Sequence, residues 1–146
     1  MKALLNTLST TTAGLDTLPI RIGAGITFAA HGSQKLFGWF GGYGLEGTAG
    51  WMESIGLAPG ILMAGLAGGA EFFAGLLLIV GLLVRPAALL LAITMIVAII
   101  IVHLENGFFM ATNGFEFALA LLVISTTLAV RGAGSYSLDN AFLSKL

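Results

Sequence analysis

The chain has 146 residues, of which 58% are hydrophobic and only 9% are charged, and its mean hydropathy of +1.02 is typical of a membrane protein rather than a soluble domain. The net charge of −1 excludes the basic surface that nucleic-acid binding requires. The absence of cysteine excludes disulfides, thiolate metal sites and iron–sulfur clusters.

The first 17 residues, MKALLNTLSTTTAGLDT, lack the continuous apolar run of a signal peptide. Their short apolar patch is interrupted at Asn6 and Thr7 and is followed by a Ser/Thr run. We therefore expect a cytoplasmic lead-in that stays on the mature protein, so that the first spanning helix targets the chain to the membrane.

Four apolar segments are predicted to span the membrane, at residues 18–40, 61–84, 86–103 and 115–130. They lack the period-two alternation of barrel strands, and Gly and Ala recur in them at steps of three and four residues, which favours helices. The very short turn LLVRPA makes the second and third spans a hairpin, with Pro86 suited to the first position of the third helix. The sequence thus predicts an all-α membrane protein: a single domain, residues 1–146, folded as a four-helix antiparallel transmembrane bundle.

The first outer loop is predicted to contain a short interfacial helix. In LEGTAGWMESIGLAP, helical spacing places Leu45, Ala49 and Met52 on one face and Glu46 and Glu53 on another. An amphipathic segment of this kind is typical of helices that lie in the membrane interface.

The distribution of cations predicts the orientation of the spans. Lysines and arginines occur around the start of the first span, in the second loop and after the last span, at Lys2, Arg21, Arg85, Arg131 and Lys145. The first and third loops contain glutamates and neither Lys nor Arg. The positive-inside rule therefore places both termini and the second loop in the cytoplasm, as an even number of spans requires.

One face of the first helix combines polar residues with glycines. At 100° per residue, an arc of roughly 120° holds Arg21, Gly25, Phe28, His31, Gly32 and Lys35. This face should look into the bundle, because lipid offers no partner for a charge. Alternatively, Lys35 is a lysine that snorkels to the outer interface. Arg21 is interpreted as an inner-interface anchor, and Gln34, which points away from this face, as an interhelical or interfacial hydrogen-bonding group.

Glu71 lies near the middle of the second span, where an unpaired carboxylate costs about 2.5 kcal/mol or more. A rise of 1.5 Å per residue places Glu71 about 16 Å below the outer boundary, His31 about 13 Å and Lys35 about 7 Å. We therefore expect Glu71 to approach His31 within hydrogen-bonding reach, directly or through one water. We expect Lys35 to pair with Glu116 or, next, with Glu105. The structural alternative is a buried pair that only holds two helices in register.

The third and fourth spans bring further polar residues to the outer boundary. Asn113 and Glu116 have the spacing of a capping box, which would start the last helix slightly early, and His103 alone would suit an interfacial histidine. Together, residues from all four spans converge on the outer half of the bundle: His31, Lys35, Glu71, His103 and Glu116. This convergence favours a ligand or proton-transfer pocket.

These residues also lie in runs that resemble a known family. HGSQKLFGWFGGYG, GLAGGAEFFAGLLLIVGL and NGFE resemble the DoxX family of small four-span bacterial inner-membrane proteins. The resemblance covers residues 18–130 and includes the signature His31, Gly32, Gln34, Lys35, Leu36, Phe37 and Gly38, with acidic residues at Glu71 and Glu116. It implies a multi-pass protein of the bacterial plasma membrane, related to proteins associated with quinol oxidase and thiosulfate:quinone oxidoreductase systems.

The leading functional hypothesis is a membrane subunit of a redox system with a quinone or quinol pocket. A quinone head needs hydrogen-bond donors and a proton acceptor, so His31, Lys35 and Glu71 are the catalytic candidates. The ligand-binding candidates are Phe28, Gln34, His103 and Glu116. We predict no metal site and no covalent cofactor, and since no flavin or nicotinamide motif is found, electrons would pass to or from a partner redox protein.

Other classes of function fit the same composition. A non-catalytic anchor would recruit a partner redox enzyme to the bilayer, and substitutions in the outer half would then affect assembly rather than turnover. A haem protein with His31 and His103 as axial ligands is disfavoured, because the two histidines lie at unequal depths. A small-solute transporter of four spans would need a homodimer to enclose a path.

Overall fold

The computed structural model describes residues 10–11 and 14–143, and within these ranges all regular secondary structure is helical. The helices are α1 (Thr17–Phe37), α2 (Gly44–Ser54), α3 (Gly60–Val80), α4 (Val84–Ala98), α5 (Glu116–Arg131) and α6 (Leu138–Leu143). A π-helical turn (Ile99–His103) and a 3-10 turn (Leu104–Asn106) extend α4, and two more 3-10 turns lie at Trp39–Gly41 and Met110–Thr112. Most of the predicted lead-in, with Lys2 and Lys145, lies outside the described residues.

Glycines end two of the helices earlier than the apolar runs end. Gly38 (φ 72°) and Gly81 (φ 73°) adopt left-handed conformations, which glycine adopts without steric cost and which terminate a helix. The helices therefore stop at residues 37 and 80, where the predicted spans extend to 40 and 84. Pro86 occupies the third position of α4 rather than the first, because the helix already begins at Val84.

Two helical segments, Gly60–Val80 and Val84–Asn106, are long and apolar enough to cross a membrane. Only 33% and 28% of their most apolar windows are buried inside the protein. A water-soluble protein would bury such segments in its core, so this outward-facing apolar surface is the kind that lipid covers. Helices α1 and α5 do not meet the same criterion of length and hydropathy. Helix α1 carries Arg21 and Lys35, and α5 has 16 residues.

Helices α1 and α3 are antiparallel and touch backbone to backbone along a seam of four glycines, which we call the glycine seam: Gly25, Gly32, Gly68 and Gly75. A Cβ atom on Gly32 would lie 2.7 Å from the carbonyl oxygen of Gly68, and one on Gly75 would lie 2.6 Å from the amide nitrogen of Ala29. Real side chains do not approach so closely. The glycines thus permit a helix separation that larger residues would forbid.

The remaining helices pack on this pair through apolar side chains. The main core joins α1, α3, α4 and α5 through buried residues that include Phe28, Leu78, Leu91 and Leu128. The predicted helix of the first loop forms as α2, and its face of Ala49 and Met52 packs against α3. Its position in the membrane interface stays a prediction.

The N-terminal segment, the α3–α4 turn and the C-terminal segment meet at one end of the helices. Arg85 Nε donates a hydrogen bond to the carbonyl oxygen of Thr10 at 2.6 Å. The buried carboxylate of Asp139 accepts hydrogen bonds from the amides of Leu83 (2.8 Å) and Val84 (3.0 Å) and so caps α4. Both described chain ends therefore lie on the same side, as an even number of long helices requires.

Arg21 is buried at this end, and its interpretation as an interface anchor is wrong. The residue is 1% exposed, and its Nη2 donates to the carbonyl oxygen of Tyr136 at 2.6 Å. Its Nη1 lies against Gly81, where any side chain would overlap it. Neither Nη1 nor Nε has a hydrogen-bond partner among the described residues. Arg21 is enclosed because the C-terminal segment folds back over it, a long-range return that helical periodicity does not encode.

The glycine seam predicts a position-specific effect of alanine. Gly32→Ala should lower the free energy of unfolding by about 1–3 kcal/mol, because the added methyl overpacks the seam. Gly23, also on α1 but exposed, has no atom within 4 Å of an added Cβ, so Gly23→Ala should be neutral or stabilise by up to about 1 kcal/mol. SDS titration of the purified protein in detergent, followed by circular dichroism, measures both. Equal stability of the two variants would contradict the close packing.

Candidate functional site

A cavity of about 330 Å³ lies among α1, α3, α4 and α5, at the end of the helices that carries α2. Its walls are mostly apolar and include Phe28, Trp51, Met52, Met95, Val97, Ile101, Ala118 and Leu121. Four ionisable or imidazole side chains also line it: His31, Lys35, Glu71 and His103. An apolar pocket with a few converging polar groups is the usual form of a small-molecule site.

The strongest polar contact on the cavity wall is an ion pair between α1 and α3. Lys35 Nζ lies 2.5 Å from Glu71 Oε2, and the two side chains are 26% and 6% exposed. Nζ also approaches the carbonyl oxygen of His31, one turn earlier, at 3.5 Å. The pair neutralises a carboxylate that would otherwise be costly in a buried apolar setting.

The predicted partner of Lys35 was wrong, and the predicted direct contact of Glu71 with His31 does not form. Among the described residues Glu71 makes no hydrogen bond to His31, and Lys35 pairs with Glu71 rather than with Glu116 or Glu105. The predicted depths of Glu71, His31 and Lys35 were calculated only from the rise of the backbone along the helix axis. Side chains on a helix also tilt toward its N-terminus. On antiparallel helices Lys35 and Glu71 therefore tilt toward each other, which closes a difference in depth that the count made too large.

His31 lines the cavity, and its ring is not fixed there by a hydrogen bond to any described residue. Its ring lies across the gap between α1 and α5, with its centroid 6.0 Å from that of Phe117. The ring nitrogens have no hydrogen-bond partner among the described residues, and the side chain is exposed. Both nitrogens therefore remain available to a bound molecule, next to the charges of Lys35 and Glu71.

His103 ends the π-helical turn, and the loop before α5 fixes its ring. Its Nδ1 lies 2.9 Å from the carbonyl oxygen of Asn113. A carbonyl only accepts, so Nδ1 carries the proton and Nε2 of the neutral ring is left as an acceptor. π-Helical turns are rare and often occur at functional sites.

The predicted capping box before α5 does not form, so that prediction was wrong. Helix α5 begins at Glu116 itself, and Asn113 adopts a left-handed conformation with φ 62°. The carboxylate of Glu116 instead accepts a hydrogen bond from the amide of Met110 at 2.7 Å. Glu116 therefore organises the loop and does not line the cavity.

The structure thus brings together five of the seven predicted site residues and separates two. Phe28, His31, Lys35, Glu71 and His103 line one cavity. Glu116 belongs to the loop, and Gln34 lines a different groove and donates to the carbonyl oxygen of Phe40 at 3.3 Å. The apolar wall of Val97 and Ile101 was not predicted from the sequence, because every position of that run is apolar and periodicity gives no contrast between its faces.

The helices that form most of the cavity wall match a known protein family. A family model described as DoxX matches residues 17–104, which include α1, the ion pair and the π-helical turn. The chain belongs to the DoxX family. The match covers the cavity wall formed by α1, α3 and α4 and ends before α5.

Several relatives align with most of this DoxX protein. It is 36% identical over 125 residues to "Putative oxidoreductase CatD" of Bacillus subtilis, covering 86% of this chain and 85% of the relative. An "Uncharacterized protein" of Haemophilus influenzae is 32% identical over 133 residues, with 86% and 90% covered. An uncharacterized membrane protein of Mycobacterium tuberculosis is 32% identical over 130 residues, with 82% and 77% covered. No solved structure gives a significant match. Family and relatives support membrane association.

The ion pair predicts a non-additive pair of substitutions. Lys35→Met should cost about 3–5 kcal/mol of unfolding free energy, because it leaves Glu71 buried without a partner. Glu71→Gln should cost less, since the longer lysine can turn toward solvent. The double variant should be more stable than Lys35→Met alone. SDS titration in detergent measures the cycle, with the exposed Glu46→Gln as a control that should match the parent.

Additive losses in that cycle would contradict a direct energetic coupling of Lys35 and Glu71.

Proposed function

We propose that this DoxX protein is a four-span membrane subunit of a redox system that binds a quinone or quinol in the cavity. The observation that carries the proposal is the composition of the cavity wall. An ion pair, Lys35–Glu71, and the imidazole of His31, which has no hydrogen-bond partner among the described residues, border a space whose walls are mostly apolar. A lipid-soluble molecule with a hydrogen-bonding head matches this division.

The polar groups suit the two states of such a head group. A quinone presents carbonyl acceptors, to which the Lys35 ammonium can donate. A quinol presents hydroxyl donors, and the Nε2 atom of His103 and the ring of His31 can accept from them. Glu71 is the one carboxylate among the described residues that line the cavity, and it can accept a proton that leaves the ligand.

The size of the cavity supports a head group rather than a whole lipid. About 330 Å³ is near the lower end of small-molecule pockets, so a long isoprenoid tail must leave it. Val97 and Ile101 line the cavity and yet are 47% and 43% exposed. An apolar rim that opens to the lipid-facing surface of α4 offers the tail such an exit.

Electrons require a second protein. The chain has no cysteine and no flavin or nicotinamide motif, so a partner redox protein would accept or supply them. The name of the Bacillus relative, "Putative oxidoreductase CatD", is consistent with this role. The alternative is a non-catalytic anchor, in which the partner is recruited and the cavity holds no quinone.

The charges at the two ends of the helices support the proposed orientation. Arg85 and Arg131 lie at the end that holds the described chain termini, whereas Glu46 and Glu53 lie in the connection at the opposite end. With all four long helices crossing the bilayer, the positive-inside rule places the arginine-bearing end in the cytoplasm.

Cysteine labelling tests that topology in a chain with no native cysteine. Glu46→Cys and Tyr136→Cys replace exposed residues near opposite ends. In intact cells freed of their outer layers, a membrane-impermeant maleimide should label Glu46→Cys, and should label Tyr136→Cys only after the membrane is opened. Labelling of both from the same side would refute four spans.

Quinone binding can be followed through tryptophan fluorescence. The chain has two tryptophans, of which Trp51 lines the cavity and Trp39 does not. In a Trp39→Phe background, decylubiquinone or a short-chain menaquinone should quench Trp51 saturably. Ala98→Phe should weaken quenching at least tenfold because the new ring fills the cavity that Ala98 lines.

Ala120→Phe is the matched control, since Ala120 is exposed on α5 and does not line the cavity. In this variant the quinone should quench Trp51 as it does in the parent. Non-saturable quenching that is equal in parent, Ala98→Phe and Ala120→Phe would reflect partition into the detergent or lipid. That result would reject the quinone site and favour the anchor.

A further inference from the structure

A second concavity lies next to the cavity on the other side of Lys35. This groove, of about 550 Å³, is formed by the end of α1, the following loop and α2. Its lining includes Gln34, Tyr43 and Thr48 together with glycines. Two residues, Lys35 and Trp51, line both the groove and the cavity. They form the shared wall between the two spaces.

The groove suits water better than the cavity does. Gly41 and Gly47 are exposed and carry no side chain, so backbone groups face the groove at both positions. The Gln34 amide, the Tyr43 hydroxyl and the Thr48 hydroxyl can all hydrogen-bond to water. The groove lies at the proposed outer end of the bundle, and it therefore extends the outer aqueous phase to the Lys35 side chain.

We infer that this groove is the proton port of the cavity, with the Lys35–Glu71 ion pair as its gate. The inference rests on the proposed quinone function and specifies the side of the membrane with which the site exchanges protons. When a ligand hydroxyl transfers its proton to the Glu71 carboxylate, the neutral carboxyl no longer attracts the Lys35 ammonium. Lys35 then turns into the groove, and water there takes up the proton from the opened pair.

The accessibility of an introduced thiol tests the ion pair as a gate and the groove as a port in separate variants. Ala67 lines the cavity and not the groove, so Ala67→Cys in the cysteine-free chain reports water inside the cavity. Vesicles containing the protein are treated with a small, charged methanethiosulfonate reagent that does not enter lipid. With the ion pair intact, modification should be slow. In the charge-balanced background Lys35→Ala/Glu71→Gln it should be at least tenfold faster.

A matched pair of phenylalanine variants locates the path. Gly47 lines the groove, and a Cβ added there would lie 2.9 Å from Cβ of Tyr43, another lining residue. Gly50, on the same helix, is exposed and has no atom within 4 Å of an added Cβ. In the Lys35→Ala/Glu71→Gln background, Gly47→Phe should return the modification rate of Ala67→Cys toward that of the closed protein, and Gly50→Phe should leave it fast. Circular dichroism and SDS titration of each variant show that it is folded.

A direct proton measurement accompanies the thiol assay and uses the native pair. The carboxyl band of Glu71, assigned by its loss in Glu71→Gln, is followed by infrared spectroscopy after a change of external pH. Gly47→Phe should slow its response at least tenfold and Gly50→Phe should not. Equal rates for Gly47→Phe and Gly50→Phe in both assays would overturn the port.

The quinone site and the proton port are distinguished by measuring how decylubiquinone quenches Trp51. The measurement uses the Trp39→Phe protein with and without Gly50→Phe. If quenching is saturable but Gly47→Phe and Gly50→Phe give equal rates of Ala67→Cys modification, the quinone site is retained and the port is rejected. If only Gly47→Phe slows the modification of Ala67→Cys and quenching is not saturable, the groove is retained as a water path. The quinone function is then rejected, and with it the role of the groove as a proton port.

Discussion

The ion pair between Lys35 and Glu71 depends on how closely α1 and α3 approach. A lysine and a glutamate on neighbouring helices meet at 2.5 Å only where the backbones are near, and Gly32 and Gly68 bring them near directly beside the pair. The antiparallel arrangement then tilts the two side chains toward each other. The cavity depends on the same contact, since it lies on the face of this helix pair that α4 and α5 cover.

In lipid this arrangement cannot rely on the hydrophobic effect, because lipid tails are as apolar as the helix surfaces. Glycine packing and interhelical polar contacts must specify the register. A buried polar group used only for that purpose would be enclosed by protein, as Arg21 is beneath the C-terminal segment. The Lys35–Glu71 pair instead borders a cavity, next to a histidine whose ring has no hydrogen-bond partner among the described residues. This difference favours a functional reading of the pair over a purely structural one.

Helical periodicity predicted much of this site and failed in specific ways. The 120° arc on α1 correctly grouped Phe28, His31 and Lys35 on one face, because rise and rotation are fixed properties of a helix. The predicted partner of Lys35 was wrong because side-chain tilt was not counted. Glu116 was misplaced because loop hydrogen bonds depend on tertiary structure, and so does the burial of Arg21. Local patterns thus identify faces, whereas pairings between elements need the fold.

The two ends of the molecule are built differently, and this asymmetry bears on proton exchange. At the arginine-bearing end, Asp139 caps α4 and the C-terminal segment covers Arg21, which closes the space between the helices. At the other end α1 stops at Gly38, α4 widens into a π-helical turn, and the cavity and groove lie side by side. A proton at Glu71 therefore has a short polar route past Lys35 and a packed apolar core in the opposite direction, so exchange with the proposed outer side is the route of lower electrostatic cost.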